Sequence, residues 1–300
     1  MKLNCLNLFI AFICFSTYSS AQTAPKQDFF PQGTMVYSDV NYAGDTLKKH
    51  LLDVYLPPVA KTKYPLIVWI HGGGWRMNDK YADMGYMTQT LKGFIDKGYA
   101  IASIDYRWST TAPFPAQIQD CNQAVAFLCS HAAQYKLDID KIALIGFSAG
   151  GHLASLMGLS NNSNIKGFYV DGKKPSFKIK LVLDFYGPSD FLSLAGNLDK
   201  GAQNAITLLL GASAFDRPDL GKIASPLTYV DKNDPPFLIV QGEKDEAVNP
   251  SQSVALSLNL KLVGVKNELV IVPNAPHFGV MFDAEDIRSK VFACLDEYMR

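Results

Sequence analysis

The pentapeptide Gly146-Phe147-Ser148-Ala149-Gly150 constrains this chain more than any other feature. It follows the apolar run Lys141-Ile142-Ala143-Leu144-Ile145 and precedes Gly151-His152-Leu153-Ala154-Ser155-Leu156-Met157, which reads as helix. The order is strand, sharp turn, helix, with Ser148 at the turn. Strain at such a serine, and the close approach of strand to helix, demand small neighbours. Gly146, Gly150 and Gly151 supply them. A serine held in this way lifts its hydroxyl above the strand ends, within reach of a base. The plainer alternative is a tight turn whose serine only caps the helix.

A second element argues against that alternative. The strand-like run Tyr64 to Ile70 leads into His71-Gly72-Gly73-Gly74-Trp75. Three glycines after a strand let backbone N–H groups approach a ligand closely, which suits charge developing on a carbonyl oxygen. A serine nucleophile also needs an imidazole base, and the chain has only five histidines to choose from. His50 and His131 read as a loop and a helix end in polar surroundings. His71 is tied to the glycine loop. His152 lies one helical turn beyond Ser148, which carries its side chain down the helix into packing. His277 remains, in Val272-Pro273-Asn274-Ala275-Pro276-His277-Phe278-Gly279, a loop after the run Glu268 to Ile271.

The acid that orients the imidazole must lie at the same rim. Asp245 follows the apolar run Pro236 to Val240 through Gln241-Gly242-Glu243-Lys244, just past a strand end. Glu243 and Glu246 are competing neighbours. Asp184 and Asp190 flank another strand end. Position favours Asp245, and the chain order Ser, Asp, His is the one found in α/β-hydrolases.

With these residues in view, the chain resembles the α/β-hydrolase superfamily, nearest the esterase/lipase group that includes acetyl xylan and feruloyl esterases and is often labelled BD-FAE-like. Leu52-Asp53-Val54-Tyr55-Leu56-Pro57, Val68 to Trp75, Ile104-Asp105-Tyr106-Arg107, Pro113 to Asp120, Gly146 to His152, Ser225-Pro226, Gln241 to Pro250 and His277-Phe278-Gly279 carry the resemblance. The group usually has His-Gly where this chain has Gln241-Gly242. The resemblance implies a triad of Ser148, Asp245 and His277, and oxyanion donors at the backbone of Gly73, Gly74 and Ala149. In some relatives the Trp75 position contributes as well. It implies a serine esterase that needs no metal and no cofactor. The substrate would be short acyl esters, with acetyl groups on a plant polysaccharide favoured. A lipase-like carboxylesterase and an arylformamidase-type amide hydrolase are the alternatives within enzymes. A non-catalytic binding protein on the same fold would be expected to lose triad residues. Trp75, Tyr186 and Phe278 are read as rim aromatics that wall the site or stack on a substrate ring.

Composition agrees. The hydrophobic fraction of 48% supports a substantial core, and a formal net charge of +0 with no basic stripe argues against a nucleic-acid partner. Met1-Lys2, an apolar stretch from Leu6 to Phe15 and the small-residue ending Ser19-Ser20-Ala21 read as a secretory signal peptide, 1–21, too short to span a bilayer. Phe12-Ile13 before Cys14 is too bulky for a lipobox. The expected product is secreted or periplasmic, one domain over 22–300. Cys121, Cys129 and Cys294 then remain, and they read as free thiols.

The rest of the chain alternates strand and helix, which means a mostly parallel sheet covered on both faces. An antiparallel pair, Tyr37 to Tyr42 and Leu51 to Tyr55, opens it. Helices are expected over Met84–Lys97, Ala116–Tyr135, Pro250–Val263 and Glu285–Met299. The segment 187–225 reads as an irregular cap. Arg107 is expected to tie loops together by an ion pair.

Overall fold

A computed structural model describes residues 27–195 and 200–299. The expected signal peptide lies outside them. Eight strands form one sheet: β1 Met35–Asn41, β2 Leu51–Leu56, β3 Tyr64–Ile70, β4 Ala100–Ile104, β5 Leu137–Phe147, β6 Ile179–Phe185, β7 Phe237–Gly242 and β8 Asn267–Val272. Their order across the sheet is β1-β2-β4-β3-β5-β6-β7-β8. β1 and β2 pair antiparallel, as do β2 and β4, and every later pairing is parallel.

Parallel strands need covered faces, and the alternation along each strand serves two cores. On β5, Ile142 and Leu144 point to one face, while Ala143, Ile145 and Phe147 point to the other. Nine helices are described: α1 Thr88–Asp96, α2 Ala116–Ser130, α3 Ala132–Tyr135, α4 Ala149–Ser160, α5 Phe191–Ala195, α6 Lys200–Leu210, α7 Pro218–Ala224, α8 Ser251–Leu262 and α9 Glu285–Tyr298. α2, α4 and α8 close the first face, and α1 and α9 the second. None of the described helices is long and apolar enough to cross a membrane.

Two expectations about elements change. The stretch Ala116–Tyr135 is two helices that meet at His131, and Lys136 ends the second in a left-handed conformation. The segment 187–225 is largely helical (α5, α6 and α7) rather than irregular. Other readings hold at residue level. Arg107 grips Asp120 through two nitrogens, at 2.6 Å and 2.9 Å. The three cysteines are free.

The strand ends around the turn at Ser148 meet with no space to spare. A Cβ added to Gly146 would collide with the Gly150 carbonyl, and one on Gly150 with the Ile70 carbonyl. The glycines therefore let α4 start directly on the ends of β3 and β5. That closeness sets the position of the site.

Candidate active site

Ser148 sits between β5 and α4 at φ 53° and ψ −114°, outside the regions a side chain ordinarily allows. Its N–H donates to the Phe185 carbonyl at 2.9 Å, and its carbonyl accepts from His152 N–H at 2.9 Å. These bonds hold the strained backbone in place and leave the hydroxyl free of α4.

The structure brings Ser148, His277 and Asp245 together. His277 Nδ1 lies 2.7 Å from Asp245 Oδ2, and Nε2 lies 2.8 Å from Ser148 Oγ. A carboxylate can only accept, so Nδ1 carries the proton and Nε2 is left to accept from the serine hydroxyl. Asp245 is itself fixed. Its Oδ1 accepts from Ala247 N–H at 2.9 Å and Val248 N–H at 2.8 Å. Its Oδ2 also accepts from Gln241 Nε2 at 2.8 Å. Gln241 is fully buried, and its own oxygen accepts from Ser253 Oγ at 2.8 Å. The glutamine that departs from the group's pattern thus orients the acid, a role the sequence reading did not assign.

Three of the four competing acids are occupied elsewhere, and the fourth, Glu246, leaves His277 Nδ1 to Asp245. Asp190 accepts from the backbone of Leu192 and Ser193 at the start of α5. Glu243 accepts from Asn274 N–H at 2.8 Å. Glu246 is exposed at the cavity. Asp184 lies under the turn, where it accepts from Ser155 Oγ at 2.7 Å and Gly187 N–H at 2.9 Å. Burial pushes its carboxyl up to about 6.

The glycine loop lies against Ser148. A Cβ on Gly72 would sit 3.5 Å from Ser148 Cβ. Gly73 (φ 116°) and Gly74 (φ 57°) both have left-handed backbone. The Gly73 carbonyl is turned back to accept from Arg76 and Met77, each at 3.1 Å. The N–H groups of Gly73, Gly74 and Ala149 have no acceptor among the described residues. Two further residues hold the loop. Tyr106 Oη donates to the His71 carbonyl at 2.9 Å, and Asp83 Oδ2 accepts from Gly72 N–H at 2.7 Å. Tyr86 Oη donates to Asp83 Oδ1 through a very short bond, which leaves the Tyr186 hydroxyl to donate to Tyr86 over 3.2 Å. Burial raises the Asp83 carboxyl above its ordinary range, against the pull of its hydrogen bonds. No local motif marks Asp83 or Tyr86, since their links to the site, Asp83 to Gly72 and Tyr86 to Tyr186, are made by the fold.

The three aromatics expected at the rim all line the cavity, in different ways. Phe278 is 62% exposed and presents its ring to solvent. Tyr186 is buried, edge-on to His277 with centroids 5.0 Å apart, so it supports the base from behind. Trp75 is buried too, packed edge-on against Phe191 and His152. Its Nε1 donates to His152 Nδ1 at 3.2 Å, and His152 Nε2 donates to the Ala224 carbonyl at 2.8 Å. Neither buried ring can stack on an outside sugar, so that expectation narrows to Phe278. His152 packs, as its position on α4 implied, and burial lowers it to about 4, which keeps it neutral. His50 is buried between Asp45 at 2.7 Å and Asp120 at 3.3 Å rather than set in an open loop.

The cavity above Ser148 holds about 660 Å³, within the range of small-ligand sites. Leu194, Ala205 and Ile206 from the cap and Val248 beside the acid give it apolar walls. Of the eight non-glycine residues with positive φ among those described, Trp75, Asn78, Asp83, Ser148 and Tyr186 line this cavity. Strain gathered at one place marks a site whose geometry the rest of the fold enforces.

The parallel order of the sheet, with a strained serine opening the helix after its central strand, defines an α/β-hydrolase. The sequence is more specific: the BD-FAE family model matches residues 52–260, and the chain belongs to that family. Esterase LipQ of Mycobacterium tuberculosis is 31% identical over 85% of this chain, and the chain spans 60% of LipQ's length. A truncated carbohydrate esterase from gut microbiota is 30% identical and superposes with a TM-score of 0.80, over 92% of this chain and 99% of that one. A bifunctional GH43-CE protein of Bacteroides eggerthii is 36% identical, also with a TM-score of 0.80, over 88% of this chain and 35% of that one.

Proposed function

We propose that the protein is a serine carboxylic-ester hydrolase that works through an acyl-enzyme, and that its natural substrates are short acyl esters on carbohydrate. The relay from Ser148 through His277 to Asp245, at 2.8 Å and 2.7 Å beneath an apolar cavity, carries this reading. His277 Nε2 takes the serine proton as Oγ attacks the ester carbonyl. The carbonyl oxygen becomes an oxyanion, which accepts from the N–H groups of Gly73, Gly74 and Ala149. The tetrahedral species collapses, and the alcohol leaves with the proton His277 had taken. Water then gives its proton to His277 and attacks the acyl carbon. The acid departs, and the proton returns to Ser148 Oγ. Asp245, with its acceptor sites filled by four N–H donors, holds the ring and balances its charge while it is an imidazolium.

Support for carbohydrate as the alcohol comes from the two carbohydrate-esterase neighbours above 25% identity. Residues 1–21 support export, with processing after Ala21. The test is a set of specificity constants for acetyl, butyryl, octanoyl and feruloyl esters, with acetate release from acetylated xylan. Acetyl preference with release from the polymer is expected. A steady rise toward octanoyl without polymer release replaces carbohydrate with lipid-like esters. Export is tested by the N-terminal sequence of protein recovered outside the cytoplasm, which should begin at Gln22.

A further inference from the structure

Arg76 is the one Lys or Arg among the described residues that line the cavity. It follows the glycine loop directly, and its backbone is fixed, since its N–H donates to the Gly73 carbonyl at 3.1 Å and the Trp75 carbonyl accepts from Ser109 at 2.7 Å. Its side chain folds back across Gly74. Nε is 3.9 Å and Cγ 4.0 Å from where a Cβ on Gly74 would stand. The side chain therefore runs alongside the glycine loop whose N–H groups are assigned above to the oxyanion.

Its partners are the unusual feature. Arg107 has Asp120, Arg217 has Asp219 at 2.7 Å, and Arg288 donates to the Asp283 carbonyl. Arg76 is half-buried and has no acceptor among the described residues. The acids nearby do not neutralise it. Asp245 is committed to His277, and Asp83 to Gly72 N–H and Tyr86. Burial also disfavours charge on Asp83. Glu246 is exposed and forms no ion pair with a described residue. A guanidinium in this condition is a vacant planar fork, whose geometry matches a carboxylate through two parallel N–H···O bonds.

We propose that Arg76 makes the cavity selective for esters that carry a carboxylate close to the scissile bond. The proposal rests on the serine-hydrolase reading and narrows its substrate class. Two sources share the chemistry: a uronic-acid sugar as the alcohol, or a dicarboxylic acid esterified at one end as the acyl group.

Two matched pairs distinguish them. One compares acetylated methyl glucuronoside with acetylated methyl glucoside. The other compares the monosuccinyl and butyryl esters of one alcohol. In one pair the charged member should have a kcat/KM about tenfold higher, mostly through KM, as a charge-assisted contact at a half-exposed site implies. The preference should shrink as salt rises. Arg76→Gln should bring the charged-to-neutral ratio close to one, and Arg76→Lys should restore part of it. The pair that responds names the source. Equal or lower values for the charged member in both pairs overturn the proposal, as does a preference that survives both high salt and Arg76→Gln. Labelling of Ser148 by a serine-directed phosphonate separates the two levels: labelling without a charge preference removes only Arg76's role, whereas failure to label and to hydrolyse any of the four esters removes the reading beneath it.

Discussion

The turn at Ser148 and the cap over 187–225 face each other across one cavity, and they are built on opposite terms. At the turn, glycines on β5 and α4 leave no room for a single added carbon, and the backbone bonds of Ser148 admit one orientation. The cap reaches the cavity through interchangeable apolar side chains, Leu194, Ala205 and Ile206. A defined polar contact joins the two, from Trp75 through His152 to the Ala224 carbonyl at the end of α7. The difference teaches where each property of the site resides. Chemistry depends on atoms held by strain and hydrogen bonds, and selection for size depends on surfaces that can be exchanged.

Substitutions on the two sides should divide accordingly. The largest effect is expected from Ser148→Ala, which should lower kcat by about four or more orders of magnitude with an unchanged fold. Ester hydrolysis retained in that variant would break the comparison at its root. Asp245→Asn comes next, with kcat lower by roughly three to four orders of magnitude because the imidazole loses its orienting acceptor. Asp190→Asn, on the cap side, should change kcat little, and a reversed ranking would move the acid to the other region. Gln241→Leu removes one donor from the acid, and a fall in kcat of about ten- to a hundredfold at nearly constant KM is expected. If KM moved instead, Gln241 would belong with binding.

Cap substitutions should be milder and of another kind. Ile206→Ala and Leu194→Ala widen the apolar wall. Preference should shift toward longer acyl chains by up to about 0.8 kcal/mol, or fourfold, for each methylene newly buried. Phosphonate labelling of Ser148 should proceed as before. A large loss of labelling would show that the cap shapes the chemistry as well.

The smallest effect is on stability in acid, where two buried groups under the turn oppose each other. His152 is lowered from 6.5 to about 4, so between those values the unfolded chain binds more protons. Stability from this group is present above 6.5 and is lost as pH falls toward 4. Asp184 is raised from 3.8 to about 6, so there the native state binds more protons, and stability from it grows as pH falls through the same window. The joint contribution of these two groups should be shallow. His152→Gln should remove the acid loss and Asp184→Asn should steepen it, read as melting temperature between pH 6.5 and pH 4. Parallel slopes in all three proteins would contradict this assignment.

The same division governs what the sequence reveals. A strained turn and close strand–helix contact can be met only by glycines, so Gly146, Gly150 and the run Gly72 to Gly74 are visible as letters. Parallel strands buried on both faces appear as apolar runs, although β5 starts earlier than its run because Leu137 and Asp138 pair with Tyr64 and Pro65 before a shift in register. The cap helices have no such mark. α5 and α7 have 5 and 7 residues, too short to be stable without packing. Gly187-Pro188-Ser189-Asp190 and Pro218 suit a loop as well as a helix start. Asp83 reaches back to Gly72, and Tyr86 across to Tyr186, only because the fold brings them close, while Gln241 acts on the near neighbour Asp245 with no motif to announce it. Gln241 alone left a trace, as the departure from the group's usual histidine.

All twelve residues of α4 are buried. A helix with no solvent face has no stable existence before its neighbours arrive, because its apolar surface needs the sheet on one side and α2 and the cap connection on the others. The first residue after the nucleophile therefore takes its place only when the whole core closes. Local fraying is confined to other parts of the chain, and hydrolysis should disappear in the same cooperative step as the tertiary signal, so turnover itself serves as a gauge of global unfolding.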